Sequence, residues 1–99
     1  MKTAEQLMTI EKTVTIKNKQ GLHARPAALF VQIANKFNSD ITISKGKKKV
    51  NGKSIMGIMM LEAGFGSKVT MVANGDDAEH AVKELEALLV NENIDDVVL

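Results

Sequence analysis

Residues 10–37, IEKTVTIKNKQGLHARPAALFVQIANKF, decide the fold because the spacing of their apolar side chains changes midway. Over residues 10–17 apolar and polar side chains alternate, which predicts a strand with one buried face. Over residues 24–37 the apolar side chains recur at helical spacing and predict an amphipathic helix. Residues 18–21 have turn chemistry and connect the two. The chain therefore passes from a strand directly into a helix.

The remaining elements follow the same two periodicities. Ile41 and Ile43 indicate a second strand, and a turn at residues 45–46 leads to a short third strand ending near Val50. Residues 54–61 predict a short helix, and residues 68–73 a fourth strand. Asp76 and Glu79 resemble a capping box that begins a final helix. The order βαββαβα predicts an α+β sandwich, with three helices on one face of a four-stranded, mainly antiparallel sheet.

Length and charge limit what the chain can be. Its 99 residues suffice for one hydrophobic core, so we expect a single domain over residues 1–99. Thirteen basic and twelve acidic side chains leave a net charge of +1, which predicts no direct nucleic-acid partner. The absence of cysteine excludes disulfides and cysteine-based metal sites, and it fits a cytoplasmic location. No secretory signal and no apolar run of roughly 18 residues occurs, so we expect no membrane insertion.

The chemistry is concentrated in residues 21–27, GLHARPA, which place a histidine where the first helix begins. The opening N–H groups of a helix lack intrahelical partners and carry partial positive charge, so a helix start binds phosphate well. A neutral His23 ring keeps a lone pair for attack on phosphorus, and the guanidinium of Arg25 is suited to phosphoryl oxygens. No nucleotide loop or metal cluster accompanies the motif, which favours a phosphoryl relay that needs neither cofactor nor metal. An inert, solvent-exposed histidine is the alternative.

A second feature is the methionine-rich stretch at residues 54–61, SIMGIMML. A short helix cannot bury Met56, Met59 and Met60 together, so some of them form an exposed docking surface, unless the helix lies wholly in the core. Ser54 is a helix cap or, alternatively, a phosphorylation site that would place negative charge beside this surface. The lysines at residues 45–53 predict a solvated hairpin, and we interpret His80 as a surface residue.

The two motifs together resemble the HPr family of histidine phosphocarriers in the bacterial phosphoenolpyruvate-dependent sugar phosphotransferase system. Residues 21–27 resemble that family's active-site motif, and residues 53–59, KSIMGIM, resemble its regulatory-serine segment at the same mutual spacing. The similarity runs from about residue 11 to residue 89. It implies an open-faced β-sandwich and a carrier protein rather than an enzyme.

The resemblance also implies a set of partners. Enzyme I would phosphorylate His23 on Nδ1, with Arg25 and the Ala24 and Arg25 backbone holding the phosphate, and A components of sugar permeases would receive it. An HPr kinase/phosphorylase would phosphorylate Ser54, and that form could bind a catabolite-control transcription regulator. The implied docking residues are Gln20, Ala24, Ile55, Met56, Met59 and Phe65.

The sequence departs from the family pattern outside His23, Arg25 and Ser54. Residues 1–8 form an N-terminal extension, residues 91–99 form a somewhat longer tail, and Phe65 stands where a polar or basic residue is expected. Two other functions stay open. The protein could act mainly as a regulator in carbon or nitrogen signalling without sugar transport, or it could be a binding module in which His23 is inert.

Overall fold

Four strands and three helices build the protein in the computed structural model, which describes residues 8–93. The predicted order βαββαβα is confirmed. Its elements are β1 Met8–Thr15, α1 Ala24–Ala34, β2 Asp40–Lys45, β3 Lys48–Asn51, α2 Ile55–Met60, β4 Lys68–Gly75 and α3 Ala78–Val90. Met8, which the sequence assigned to the N-terminal extension, already belongs to β1. The rest of that extension and residues 94–99 of the tail lie outside the described residues.

The four strands form one antiparallel sheet in the order β1-β4-β2-β3. Because side chains alternate along a strand, one face of the sheet carries Val14, Val69 and Met71, which are buried. The helices cover that face. The other face is polar, and on it the Thr13 and Thr70 hydroxyls lie 2.9 Å apart. The predicted open-faced sandwich is therefore confirmed.

Each helix contributes to the core according to its apolar periodicity. α1 and α3 pack on each other, and α3 also covers β1 and β4. α2 packs between α1 and β3, and Ile58 is the residue that it buries. The fully buried side chains of the core include Phe30, Ile16, Leu22, Ile43, Ile58, Leu61, Met71, Leu85, Leu88 and Leu89. Burial of a side chain as large as Phe30 contributes about 1.5–3 kcal/mol to folding.

Two helix boundaries differ from the prediction. α1 ends at Ala34 rather than at Phe37, because the Asn35 side-chain amide donates to the Val31 carbonyl at 2.9 Å and the next amides bond only three residues back. The capping box at Asp76 was wrong. The N-cap of α3 is Asp77, whose carboxylate accepts hydrogen bonds from the Asn38 and Ser39 region instead of from its own helix.

Candidate functional site

The connection between β1 and α1 is organised by a buried asparagine. Asn18 is 1% exposed; its Oδ1 accepts a hydrogen bond from the Gln20 N–H at 3.0 Å, and its Nδ2 donates to the Gly21 carbonyl at 3.3 Å. The N–H groups of Lys17 and Asn18 donate to the Leu89 carbonyl at 2.9 and 3.3 Å. Hydrogen bonds within the loop and to the last turn of α3 therefore fix the residues that precede His23.

A second loop, residues 61–67 between α2 and β4, supports this connection from the other side. The Leu22 N–H donates to the Ala63 carbonyl at 2.7 Å, and the Leu22 side chain is fully buried. Gly21 has a φ of +68°, and a Cβ there would lie 2.8 Å from the Gly64 Cα and 2.9 Å from the Ala63 oxygen. Only glycine combines this φ with so close a contact between the two backbones. The loop after α2 and the loop before α1 therefore form one packed unit.

His23 is the exposed N-cap residue of α1. Its backbone is extended, with φ −123° and ψ 156°, and its side chain makes no capping hydrogen bond. No acidic residue lies in the first turn. The first intrahelical hydrogen bond runs from the Ala27 N–H to the His23 carbonyl at 3.5 Å, and Pro26 has no amide hydrogen. Neither the His23 side chain nor a carboxylate of the first turn therefore caps the N–H groups at this helix start.

Ala24, the first residue of α1, has a φ of +45°. This left-handed conformation costs an L-residue about 1–2 kcal/mol, and strain of this kind is concentrated at functional sites. The strain is located between the packed loop and the regular helix. Arg25 follows and is exposed. An exposed imidazole beside the positive end of a helix and a guanidinium forms an arrangement that can accept a phosphoryl group.

The second motif forms α2 with its own serine as the cap. The Ser54 hydroxyl accepts a hydrogen bond from the Gly57 N–H at 3.0 Å, and the Ile58 N–H donates to the Ser54 carbonyl at 2.9 Å. The capping interpretation of Ser54 is therefore confirmed. Ser54 is partly exposed, so its hydroxyl is at the surface of the molecule.

The prediction that α2 exposes methionines is confirmed. Met56 is 69% exposed and Met60 65%, while Ile58 and Leu61 face the core. Phe65 in the following loop is 66% exposed. Gln20 and Ala24 are exposed beside His23. The exposed apolar side chains of α2 and the following loop are Ile55, Met56, Met59, Met60 and Phe65. We call them the docking patch after the role that the family resemblance implies for all of them except Met60.

The lysines of the hairpin have contacts that the sequence did not predict. Lys45 Nζ donates to the Glu62 carbonyl at 2.7 Å, and Lys48 Nζ lies 3.4 Å from both the Met60 carbonyl and the Glu62 carboxylate. Lysine side chains favour carbonyls at a helix C-terminus because of the negative end of the dipole. The hairpin therefore stabilises the end of α2 that carries Met60.

The remaining candidate features are His80, a metal site and a membrane-spanning helix. His80 is exposed on α3, as predicted. Among residues 8–93, no group of three or more His, Asp or Glu side chains is arranged to hold a metal ion. In the same part of the chain, none of the helices has both the length and the apolar character needed to cross a membrane.

Comparison with known proteins identifies the family. The family model described as "PTS HPr component phosphorylation site" matches residues 10–91. The chain belongs to the HPr family. It is 53% identical to the HPr-like protein Crh of Halalkalibacterium halodurans over 84% of this chain and 99% of that protein. It is 45% identical to the phosphocarrier protein HPr of Treponema pallidum over 83% of this chain and 93% of that protein.

Solved structures agree with this assignment. The crystal structure of a phosphocarrier protein HPr from Bacillus anthracis superimposes with a TM-score of 0.80 at 53% identity, covering 82% of this chain and 96% of that chain. This HPr-family protein thus has the open-faced architecture of a phosphocarrier. Both motifs were recognised from the sequence, but the burial and the hydrogen bonds of Asn18 were not, since an asparagine between two elements is typical of any turn.

Proposed function

We propose that this HPr-family protein accepts a phosphoryl group on His23 from phospho-enzyme I and passes it to A components of sugar permeases. The observation that supports this most strongly is the exposed His23 side chain at a helix start that it does not cap. The lone pair of the ring nitrogen attacks phosphorus while the donor's bond to phosphorus breaks. Arg25 and the Ala24 and Arg25 backbone then neutralise the phosphoryl oxygens.

The position of His23 also suits a relay in physical terms. A carrier must release its phosphate as easily as it accepts it, so the site has to be reached by two partners in turn. His23 is exposed, and Gln20, Ala24 and the docking patch provide apolar and polar contacts on the same side. Flexible methionine side chains can adapt to different partner surfaces. Contacts that form and separate with each partner in turn suit a phosphate carrier in the cytoplasm.

The first experiment is incubation with phosphoenolpyruvate and enzyme I, followed by mapping of acid-labile phosphate. We expect phosphate on His23 and none on the His23→Ala variant, with an unchanged unfolding transition. His80→Ala is the matched control, because His80 is the other histidine and is also exposed. Wild-type protein without phosphate would contradict the carrier function and favour the binding module.

We also propose that Ser54 is a regulatory site for an HPr kinase/phosphorylase. A phosphate on the Ser54 oxygen adds a charge of about −1.5 to −2 next to Ile55 and Met56. Because the phosphate would stand at a helix start, α2 is expected to stay folded. The added charge would instead oppose docking of an apolar or acidic partner surface, and it would create a contact for a catabolite-control regulator.

This regulatory proposal has its own test. ATP and the kinase should give acid-stable phosphate on Ser54 and none on Ser54→Ala. Ser54→Asp should lower the rate at which phospho-enzyme I phosphorylates His23, whereas Ser54→Ala should not. Equal rates for the two variants would contradict the coupling.

A mainly regulatory function is the second candidate, and the 53% identity to an HPr-like protein named Crh favours it. The two candidates differ in the fate of the His23 phosphate. If A components of sugar permeases accept it, the protein is a transport carrier. If they do not accept it while the Ser54-phosphorylated form binds the regulator, the regulatory function is correct.

A further inference from the structure

We propose that Asn18 is a positioning residue for phosphoryl transfer at His23, because its side chain fixes the peptide group through which the chain enters the histidine site. This inference rests on the proposed function of His23. Neither of the sequence motifs includes Asn18, and its contacts are explained neither by docking nor by regulation.

Asn18 is a polar side chain buried in a loop. Asn18 is 1% exposed, and both ends of its amide are used, with Oδ1 accepting from Gln20 N–H and Nδ2 donating to the Gly21 carbonyl. Burying an amide without partners costs free energy, whereas a fully satisfied one specifies a single geometry. The Gln20 N–H and the Gly21 carbonyl would lose their side-chain partner if an apolar residue replaced Asn18.

Asn18 and Ala63 bind the two edges of one peptide group. The Gly21 carbonyl and the Leu22 N–H belong to the same peptide bond. Asn18 Nδ2 binds the carbonyl at 3.3 Å, and the Ala63 carbonyl binds the N–H at 2.7 Å. Since a peptide bond is planar, two contacts at opposite edges fix the plane.

This fixed peptide group lies a short distance along the chain from the histidine. Only the backbone dihedral angles of Leu22 separate the fixed peptide group from the peptide group that leads into His23. The Leu22 side chain is fully buried, which restricts those angles. The direction of the His23 side chain, and hence its alignment with an incoming phosphorus, depends on this plane. Small errors of alignment reduce the rate of a transfer step strongly.

The experiment uses Asn18→Asp, which keeps the acceptor for Gln20 N–H but replaces the donor to the Gly21 carbonyl by a second oxygen. With phospho-enzyme I as the donor, we expect kcat for His23 phosphorylation to fall roughly tenfold. KM should stay within about twofold, because the docking patch is untouched. In this assay a folding defect alone would lower the concentration of competent substrate, so it would raise the apparent KM and leave kcat unchanged.

Asn51→Asp is the matched control. Asn51 Oδ1 accepts from the Lys53 N–H at 2.8 Å, which is the same local turn contact at a loop far along the chain from His23. We expect kcat of that variant to match the wild type, since a charge added near Ser54 acts on docking and therefore on KM. An equal fall in kcat for both variants would overturn the proposal, as would an unchanged kcat for Asn18→Asp.

A second readout does not depend on phosphate transfer. In Asn18→Ala, which introduces no charge, amide hydrogen exchange at Leu22 should become at least about tenfold faster, and the NMR signals of the His23 ring should shift. Asn51→Ala should change neither. Unchanged Leu22 exchange in Asn18→Ala would overturn the proposal even if the carrier function holds. If wild-type His23 accepts no phosphate, the carrier function fails instead, and the exchange result still decides whether Asn18 fixes the plane.

Discussion

The starts of α1 and α2 make opposite use of the same helix-end physics. At α2 the Ser54 hydroxyl accepts from the Gly57 N–H, so the helix is capped by its own chain. At α1 the His23 side chain makes no such bond, and the next residue, Ala24, is strained. One helix start is complete in the folded protein. At the start of α1, the N-cap residue is His23, whose side chain accepts no hydrogen bond from the helix. A bound anion could accept hydrogen bonds there instead.

The difference shows how one small domain can separate two kinds of phosphorylation. In the proposed function, a phosphoryl group on the His23 ring would stand at a helix start that the His23 side chain does not cap. A phosphate on Ser54 would be attached to the oxygen that already accepts the hydrogen bond from the Gly57 N–H. The first arrangement suits a group that passes through, and the second suits a group that remains as a signal.

The largest effect is expected at the packed loop that leads to α1. Gly21→Ala combines a positive φ with a Cβ 2.8 Å from the Gly64 Cα, and we expect it to lower the free energy of unfolding by about 2–4 kcal/mol. Gly46→Ala is the control, with a φ of +59° and nothing within 4 Å of its Cβ, and should cost about 1 kcal/mol. Urea denaturation measures both. Equal losses of free energy for Gly21→Ala and Gly46→Ala would show that the loop before α1 is not packed against the loop after α2 as described.

The capping difference itself is tested by two alanine substitutions. Ser54→Ala should lower the free energy of unfolding by about 1 kcal/mol, since it removes the bond to the Gly57 N–H. His23→Ala should change it by less than about 0.5 kcal/mol, because no capping bond is lost. The measurement is thermal or urea denaturation. A loss at His23 as large as that at Ser54 would contradict the comparison.

The strain at the start of α1 can be relieved. Ala24→Gly should raise the free energy of unfolding by about 0.5–1 kcal/mol, because glycine adopts a φ of +45° without steric cost and that gain exceeds its larger entropy in the unfolded chain. Ala28→Gly, at an exposed position inside the same helix, should lower it by about 1 kcal/mol. If both substitutions destabilise equally, the strain at Ala24 is absent.

The third helix start gives the smallest effect and a pH dependence. Hydrogen bonds from the Ser39 hydroxyl and from the Asn38 backbone lower the pKa of the partly exposed Asp77 carboxyl below its ordinary value of 3.8. Its contribution to stability is therefore present above the unfolded-state pKa and is lost as the pH falls through the folded-state pKa. Asp77→Asn should be less stable than the wild type near neutral pH.

This difference between Asp77→Asn and the wild type should shrink on acidification. Unfolding by urea, repeated between about pH 6 and about pH 2, measures it. Asp76→Asn at the exposed neighbouring position controls for the loss of a charge near α3. A pH-independent difference for Asp77→Asn would show that the hydrogen bonds from Asn38 and Ser39 do not act on its carboxylate.

The sequence predicted the parts of the fold that depend on local periodicity. Alternation in residues 10–17 predicted β1, and the choice of Ser54 as a cap followed from its hydroxyl and the apolar run after it. The exposure of methionines followed from counting apolar side chains on a short helix. The position of His23 and Arg25 at the start of α1 was predicted because the histidine, the arginine and the helix start lie within a few adjacent residues, and their role in phosphoryl transfer stays a prediction.

The features that were missed depend on contacts between segments distant in sequence. Asp77 rather than Asp76 is the N-cap of α3, and its carboxylate accepts a hydrogen bond from the Asn38 backbone N–H, 39 residues earlier. The role of Asn18 depends on the fold around it, and that of Lys45 on the position of the Glu62 carbonyl. The strain at Ala24 arises where the packed loop meets the helix, which no propensity scale describes.

The bare polar face of the sheet has a practical consequence. Because all three helices lie on one side, a tether or a fluorescent dye attached through cysteine at Thr13 would project away from the layer that holds His23 and the docking patch. Thr13 pairs with Thr70 of the neighbouring strand on that face, through hydroxyls 2.9 Å apart. The molecule could thus be anchored to a sensor surface through this face, and the helix layer would stay accessible to the proposed donor and acceptor proteins.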